Sequence, residues 1–572
     1  FSENTLTARG VMDHGTPVRR SFLANDTTTA NLSEAELSLF NHTSPDAPAE
    51  LGRVELAPNY ADFFILDDAY GARLKYDLDY YGWWGRYDAD LPPNSIEIVP
   101  LSGNPDTAEP VAIIDVAPRA QIHQVDNLLV AVETTYVENS DPQQYQSVIQ
   151  VFDLSNPRNP IARGSTTTTA INPGYGYYGW DDCWGCGWGG YWYGGAQAYA
   201  LDASLVFASS YYEQEPVGTA LSCSYWPTED NYDCNEGESS CSYYTGGIYC
   251  NSLNGAPQVC SGEIYRCTYD NMNGEQECEV VDSDTISLRE NCHEYEQYRY
   301  WQRYAFQPLD LTNPDAPTMA ATVEMPRDEE DVNILAEGND IYISYKEPVE
   351  VEGDSRPYVR YFYKTLSMDN PSQPQVGASV NVPGQLVAVD SLDTNTGNRT
   401  ILTRDFHWGE NIVESSVNRL IVRDGIAYLQ GSHRFIDQQI YQVMLDGAGH
   451  ALITHRTAWQ VAQYDPNYDW NQERQKLTIL DHTTPELPLR AEVEVDSWAS
   501  LANAGRGRAV FNVPGGLLIM NVSNPASPFA QAYFPLRGWG NKLKVHDDTI
   551  YFPAGRYGLY SFGLNSFNLL LR

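Results

Sequence analysis

The sequence lacks several features that would assign it to a common class of protein. No run of 18 or more apolar residues occurs, so no segment is predicted to cross a bilayer as a helix. Basic residues are scarce: 35 Lys and Arg stand against 76 Asp and Glu, a formal charge of −41 that argues against nucleic acid and anionic membranes as partners. The G-x-S-x-G, P-loop and dinucleotide-binding motifs are absent. The ten histidines form no set whose spacing suggests metal ligands.

Cysteine is absent from most of the chain. All ten cysteines lie in one segment: Cys183, Cys186, Cys223, Cys234, Cys241, Cys250, Cys260, Cys267, Cys278 and Cys292. An even number confined to one segment is typical of a disulfide framework in an oxidising compartment, so we predict that all ten are oxidised. A metal cluster is the alternative. The pair Cys183-x-x-Cys186 has no second CxxC partner, which favours a disulfide over half a zinc site.

What the chain does contain is an internal repeat. An alternating apolar strand runs into an Asp or Asn and then into a turn of the form Ser/Thr-Asn-Pro-x-x-Pro, and such repeats decide the architecture. Clear copies occur at 148–160, 305–317 and 517–528, looser copies at 37–48, 96–110, 361–374 and 477–488, and a worn copy without prolines at 440–447. Proline ends each strand because it lacks the N–H that a ladder needs.

A second strand pair lies upstream of several copies. Two short apolar runs flank an Asp-, Asn- or Gly-containing turn at 334–343, 420–429 and 543–552. One repeat unit is therefore predicted to be four antiparallel strands: a hairpin, the repeat strand and a short outer strand. Four-stranded units in series build a β-propeller, so the predicted fold is an all-β propeller with eight blades, seven or nine being possible.

The copies at 149–160, 306–317 and 517–528 resemble the bacterial propeller repeat named after its Leu-Val-Ile-Val-Asp strand, the LVIVD repeat. The resemblance implies the same fold and an extracytoplasmic location, and it carries no catalytic residues. The last unit, at 543–564, lacks a complete outer strand. We expect residues near 5–12 to supply that strand and so to close the ring.

The predicted organisation has three parts. Residues 1–210 form blades one to three and the start of blade four, residues 211–300 form an acidic Cys-rich insertion, and residues 301–572 form the rest of the propeller. The insertion has few aliphatic residues, so cross-links are expected to replace a core. The chain starts at Phe1 rather than Met, for which a removed signal peptide and a trimmed sequence are the two explanations.

Two loops combine glycine with aromatic residues. Residues 77–90 and 174–193 contain the candidate binding residues Trp83, Trp84, Tyr87, Trp180, Trp184, Trp188 and Trp192. Strand order places both loops and the insertion on one face, opposite the Asn-Pro turns, and function concentrates on elaborated loops. The aromatics could stack on sugar rings or contact a protein, and the alternative is that they pack against each other.

Carboxylates in the same loops are weak candidates for calcium. They are Asp77, Asp79, Asp88 and Asp90 in the first loop, and Asp181 and Asp182 in the second. None follows EF-hand spacing, so no metal is assigned.

These observations favour a binding or assembly scaffold that is secreted, periplasmic or on the cell surface, with a protein or glycan partner and no enzyme activity. A propeller-type glycan hydrolase or lyase is one alternative, and it would need two carboxylates of the elaborated face that converge near the channel to within about 5–10 Å. A structural subunit of an extracellular polymer or envelope complex is the other.

Overall fold

The structure is a computed structural model, and its described part is all-β. It describes residues 18, 20–32, 36–55, 59–75, 94–118, 120–137, 144–169, 197–228, 241–253, 256, 258–270, 275–327, 330–393, 396–408, 413–462, 474–536, 543–555 and 557–566. Within these ranges the helices are α1 (Trp459–Ala462) and a 3-10 turn at Ser283–Thr285. No helix in the described residues has the length and apolar character needed to cross a membrane.

The chain divides into two compact units. The first contains Phe1–Ser210 and Tyr304–Arg572, and the second contains Tyr211–Arg303. Each is described separately below.

The first three sheets of the first unit each contain four consecutive antiparallel strands. Their strands are β1 (Arg20–Asn25), β2 (Thr28–Leu32), β3 (Glu36–Asn41), β4 (Ala49–Glu55), β5 (Tyr60–Ile65), β6 (Tyr70–Lys75), β7 (Asn94–Pro100), β8 (Ala112–Val116), β9 (Gln121–Val125), β10 (Leu128–Val137), β11 (Gln144–Asp153) and β12 (Ile161–Thr168).

The next ten strands include those of the second unit. They are β13 (Gln197–Leu201), β14 (Ser204–Pro227), β15 (Cys241–Gly246), β16 (Ile248–Leu253), β17 (Val259–Ser261), β18 (Ile264–Asp270), β19 (Glu275–Val281), β20 (Leu288–Asp310), β21 (Thr318–Met319) and β22 (Val323–Glu324). In the first unit, β13 pairs with β14, and β20 pairs with β21 and β22, two pieces of one outer strand. In the second unit, the strand order is β17-β16-β14-β20, and β15-β18-β19 form a separate sheet.

The remaining strands build five more sheets. They are β23 (Glu330–Glu337), β24 (Asp340–Val351), β25 (Asp354–Ser367), β26 (Gln375–Val376), β27 (Val380–Val382), β28 (Gln385–Asp393), β29 (Asn398–Trp408), β30 (Val413–Arg423), β31 (Ile426–Ile436), β32 (Gln438–Leu445), β33 (His450–Thr457), β34 (Lys476–Asp481), β35 (Leu489–Glu494), β36 (Ser500–Gly505), β37 (Arg508–Val513), β38 (Gly516–Asn521), β39 (Phe529–Pro535), β40 (Lys544–His546), β41 (Thr549–Pro553) and β42 (Leu559–Gly563). Repeated four-stranded antiparallel sheets, as in a propeller, confirm the predicted fold class.

The repeat turn is held by the side chain that ends its strand. Asp310 accepts hydrogen bonds through Oδ1 from the backbone N and the hydroxyl of Thr312, and Asn521 does the same for Ser523. The Asn that precedes the first proline makes a second such turn, as Asn313 does by accepting from the backbone N of Asp315. The sequence Asp/Asn-x-Ser/Thr-Asn-Pro is therefore two overlapping Asx turns, which explains why it recurs.

The copy at Asp481 predicts a pH-dependent stability. Hydrogen bonds from Thr483 and Arg490 hold the pKa of Asp481 well below the usual range of an aspartate. The charged carboxylate therefore stabilises the fold above the unfolded-state pKa of about 3.9, and this contribution is lost as the pH falls through the lower folded pKa. We expect Asp481→Asn to cost about 1–3 kcal/mol of unfolding free energy at pH 7. The cost, measured by urea denaturation, should shrink as the pH falls from 5 to 2.

The matched control for that measurement is Asp153→Asn. Asp153 ends the equivalent strand but is more exposed, and the guanidinium of Arg163 lies 3.6 Å from it. We expect a smaller cost from this change, because exposed ion pairs contribute little. A cost for Asp481→Asn that stays constant across the pH range would contradict the electrostatic explanation.

Apolar clusters join consecutive sheets of the first unit. Seven clusters connect, in order, β5–β8 to β9–β12, β13/β14/β20, β23–β27, β28–β31, β32–β35, β36–β39 and β40–β42. An eighth cluster contains residues of both β40–β42 and β5–β8. The sheet β1–β4 contributes no residue to these eight clusters.

The contact between the last sheet and β5–β8 includes backbone hydrogen bonds. Tyr60 and Gly555 exchange two N–H···O bonds of 3.0 Å, and the backbone N of Leu559 donates to Asp106 Oδ1 at 2.7 Å. The rings of Phe63 and Tyr551 lie 4.9 Å apart. The predicted pairing of residues 5–12 with 543–564 lies outside the described residues and stays a prediction.

One part of the predicted repeat is wrong. The hairpin at 420–429 joins β30 to β31, the third and fourth strands of their sheet, and not the first and second strands of a unit. Asp424 and Gly425 have φ values of 53° and 73°, as a two-residue hairpin turn requires, so this sheet needs no Asn-Pro turn. The segment 440–447, predicted as a degenerate repeat strand, is instead β32, the first strand of the next sheet.

Cross-strand disulfides take the place of a large core in the second unit. Three bonds join residues that lie directly opposite or adjacent across strands: Cys223–Cys292, Cys250–Cys260 and Cys267–Cys278. Cys241 is also disulfide-bonded. Among the described cysteines none is free, while Cys183, Cys186 and Cys234 lie outside the described residues. These bonds indicate an oxidising compartment.

Candidate functional site

The aromatic and acidic residues singled out in the sequence lie outside the described residues. They are Trp83, Trp84, Tyr87, Trp180, Trp184, Trp188 and Trp192, with the calcium candidates Asp77, Asp79, Asp88, Asp90, Asp181 and Asp182. Their predicted roles therefore stay predictions, and the described residues are considered on their own terms.

A cavity of ≈ 530 Å³ lies in the first unit, lined by residues of its first strands. The lining residues come from β5, β9, β13 and β40, each the first strand of its sheet, and from the turn and strand beside them: Asp62, Phe64, Leu66, Ile122, His123, Gln124, Asp126, Asn127, Ala198, Ala200, Leu205 and Lys544. Strand alternation accounts for the alternate residues from β5 and β13, whereas β9 contributes the three consecutive residues Ile122, His123 and Gln124.

Amide side chains tie neighbouring first strands together beside this cavity and around the unit. Gln124 on β9 donates to the carbonyl of Ile65 at 2.6 Å, and Asn333 on β23 donates to the carbonyl of Leu386 at 2.8 Å. Gln442 on β32 accepts from the backbone N of Leu501 at 2.7 Å. Each contact satisfies backbone groups that no strand pairing reaches. Sequence reasoning missed these residues, because each lies in a first strand that contains other polar side chains and so gives no distinct signal.

The charges of the cavity are of both signs. Asp62 is buried, and its Oδ1 accepts a 2.8 Å hydrogen bond from the backbone N of Phe63. Lys544 places its ammonium 5.9 Å from the centroid of the Phe64 ring, within the range of a cation–π interaction. The cavity can therefore hold a small polar ligand, but no nucleophile–base pair is assembled among these described residues.

Three side chains at the end of this cavity's sheets could hold a cation. Asp68, His546 and Asp547 bring one ligand atom each to within 4.8 Å of one another. His546 Nε2 lies 3.5 Å from Asp68 and 3.7 Å from Asp547. Both carboxylates are largely exposed, and Arg506 competes for Asp547 at 3.6 Å. We therefore assign no metal to this group.

A buried histidine elsewhere in the first unit has a structural role. Burial lowers the pKa of His455 to about 4, and its ring lies 2.8 Å from the Thr478 hydroxyl and 3.3 Å from Gln438 Oε1. The Glu492 carboxylate, 3.6 Å away, does not offset that burial. A neutral, hydrogen-bonded and enclosed imidazole of this kind stabilises packing between strands.

The second unit exposes an aromatic pair. Trp226 on β14 and Tyr249 on β16 meet edge to face, with ring centroids 5.6 Å apart, yet they remain 36% and 44% exposed. Ser224 lies directly opposite Tyr249, and Cys223 points to the other side of the sheet. The two disulfides of this sheet, Cys223–Cys292 and Cys250–Cys260, therefore lie on one face and the aromatic pair on the other.

Comparisons with known proteins give a fold likeness of low similarity. No family model matches the chain, and no curated protein matches it. Among solved structures, it is similar to Pyrococcus horikoshii acylaminoacyl peptidase (orthorhombic crystal form), with 10% identity and a TM-score of 0.32, over 86% of this chain and 57% of that chain. The chain thus spans little more than half the length of that protein. A likeness at this level carries no argument about function.

Proposed function

We propose that this protein is an extracytoplasmic binding or assembly scaffold, secreted, periplasmic or on the cell surface. In this proposal the eight sheets of the first unit from β5–β8 to β40–β42 form a closed ring of blades of the LVIVD-repeat type, to which the sheet β1–β4 does not belong. The second unit, Tyr211–Arg303, is its recognition part, and the partner is a protein or glycan.

The observation that carries the proposal is the exposed pair Trp226 and Tyr249 on a sheet held by disulfides. Large aromatic side chains are normally buried, and at binding sites they supply contact area at a low cost in conformational entropy. Cross-links on the opposite face hold the sheet rigid without an apolar core, which lowers the ordering cost of binding. The loops with Trp84 and Trp188 belong to the same proposal as a second contact region.

The test measures binding to the partner in its native setting. Labelled protein is titrated against isolated envelopes and extracellular matrix of the producing organism, before and after protease or periodate treatment to distinguish a protein from a glycan. We expect Trp226→Ala/Tyr249→Ala to weaken binding by at least ~2 kcal/mol, the scale of an aromatic hot spot. We expect a comparable loss for Trp84→Ala/Trp188→Ala.

The matched control is Trp459→Ala in the first unit. Trp459 is 54% exposed and lies in α1, away from both proposed contact regions in sequence. Its replacement should leave binding unchanged. Equal losses for Trp459→Ala and for the Trp226/Tyr249 variant, or unchanged binding for both double variants with normal folding, would refute the proposal.

A further inference from the structure

Among the described residues of the second unit, strand β19 is the edge of its sheet. The sheet order β15-β18-β19 gives β19 one partner within the described residues, β18. Its residues Glu275–Val280 are all exposed. A free sheet edge presents backbone N–H and C=O groups that can pair with another strand.

The register identifies which backbone groups face outward. Cys267 and Cys278 lie directly opposite each other with Cα atoms 4.1 Å apart, the short spacing of a non-hydrogen-bonded pair. The N–H and C=O of Cys278 therefore point away from β18, and by alternation so do those of Gln276 and Val280. The backbone groups of the residues between them point toward β18.

The side chains beside this edge are acidic. Glu275, Glu277 and Glu279 alternate along β19, so their carboxylates share one face of the sheet, and within the described residues they have no partner. On β18, Asp270 lies opposite Glu275 and Arg266 lies opposite Glu279. Among the described residues of β18 and β19, this face thus carries four carboxylates and one guanidinium.

We propose that β19 binds an extended segment of a partner protein that carries Lys or Arg at alternate positions. The segment adds a strand to the sheet: its backbone pairs with Gln276, Cys278 and Val280, and its basic side chains lie over the three glutamates. Pairing of β19 with the β19 strand of a second copy is disfavoured, because it would bring their glutamates together. The inference rests on the proposed recognition role of the second unit.

The experiment uses the full oxidised chain and a synthetic peptide of about nine residues, with lysine at three alternate positions and threonine between them. We expect binding that weakens as salt is raised. Residue-resolved hydrogen exchange should show new protection at the amides of Gln276, Cys278 and Val280. The amides of Glu277 and Glu279 should not change, since β18 already protects them.

Variants distinguish pairing of the peptide with β19 from a general electrostatic attraction of the basic peptide to an acidic protein. Glu275→Gln/Glu277→Gln/Glu279→Gln should weaken peptide binding by about tenfold. The control Glu347→Gln/Glu350→Gln/Glu352→Gln removes the same charge from the first unit and should change little. A peptide N-methylated on its pairing edge should not bind.

Three results would overturn the inference: no binding, an equal loss from both triple variants, or binding without the alternating protection. Circular dichroism verifies the folding of each variant. Because the peptide is synthetic, its failure leaves the Trp226/Tyr249 test unaffected, and the two proposals can fail separately.

Discussion

Replacing Phe63 with alanine is expected to lower the free energy of unfolding by about 3–5 kcal/mol, the usual cost of removing a buried phenylalanine. Phe63 is fully buried in the cluster shared by β5–β8 and β40–β42, against Tyr551 and Leu559. The cost depends on whether the final sheet packs on β5–β8 in solution. Urea denaturation followed by fluorescence provides the measurement, and it tests the proposed ring closure.

Two further variants sharpen this test. Phe511→Ala is the matched control, since Phe511 is equally buried but lies between β32–β35 and β36–β39, which follow each other in the sequence. A double-mutant cycle of Phe63→Ala with Tyr551→Ala should give a coupling energy of about 0.5 kcal/mol or more for rings in contact. Suppose that Phe63→Ala costs less than about 1 kcal/mol while Phe511→Ala shows its full cost. The sheet β40–β42 would then not pack against β5–β8 in solution, and the ring would not be closed.

Removing the disulfide between Cys223 and Cys292 by double serine substitution should destabilise the second unit by about 4 kcal/mol, from the closure entropy of a loop with a sequence separation of 69. The few buried side chains of Tyr211–Arg303 include Ala220, Cys223, Cys250, Ile264 and Cys267, so little else opposes unfolding. Limited proteolysis should then cut within Tyr211–Arg303 while the strands of the first unit remain resistant.

The comparison for this variant is Cys267→Ser/Cys278→Ser. Its loop has a separation of 11, for which the same relation predicts about 3 kcal/mol. The longer loop should therefore show the larger effect. Unchanged protease resistance in the Cys223/Cys292 variant would show that the sheet of the second unit is held by its hydrogen bonds alone.

The repeat turns were predictable because their chemistry is local. Asp310, Thr312 and Asn313 make their hydrogen bonds within a few residues, so the same short sequence produces the same turn wherever it occurs. The four-stranded unit followed from these turns and from apolar alternation. The split of an outer strand into β26 and β27 was not predictable from such short segments.

The predicted position of a strand within its sheet was wrong where the same kind of turn can join different pairs of strands. Asp424-Gly425 forms the same kind of two-residue hairpin whether it joins the first two strands of a sheet or the last two. Which of these it joins depends on pairing with β29 and on burial against the neighbouring sheets, and both are long-range. The sequence alone therefore assigned β30 to the first position of its sheet instead of the third, and β32 to the third position instead of the first.

The candidate sites likewise combine local features that the sequence shows with long-range features that it does not show. The alternation of Glu275, Glu277 and Glu279 is visible in the sequence, but whether their strand lies at an edge depends on the pairing of β18 with β15. Trp226 gives no sequence signal of exposure, because its position opposite the disulfide face follows from the register with Tyr249. Long-range pairing thus converts ordinary residues into candidate binding residues.

The position of the second unit has a consequence for synthesis of the chain. In the nascent chain, the hairpin of β13 and β14 is made before β20. Leu205 and Phe207 therefore lack their contact with Leu309 until β20 has been synthesised. At elongation rates of about 5–20 residues per second, the segment Tyr211–Arg303 takes about 5–20 s to translate, a delay that none of the consecutive four-stranded sheets experiences. During that interval an apolar sheet edge is available to chaperones, so nascent chains should be held by them at this sheet first.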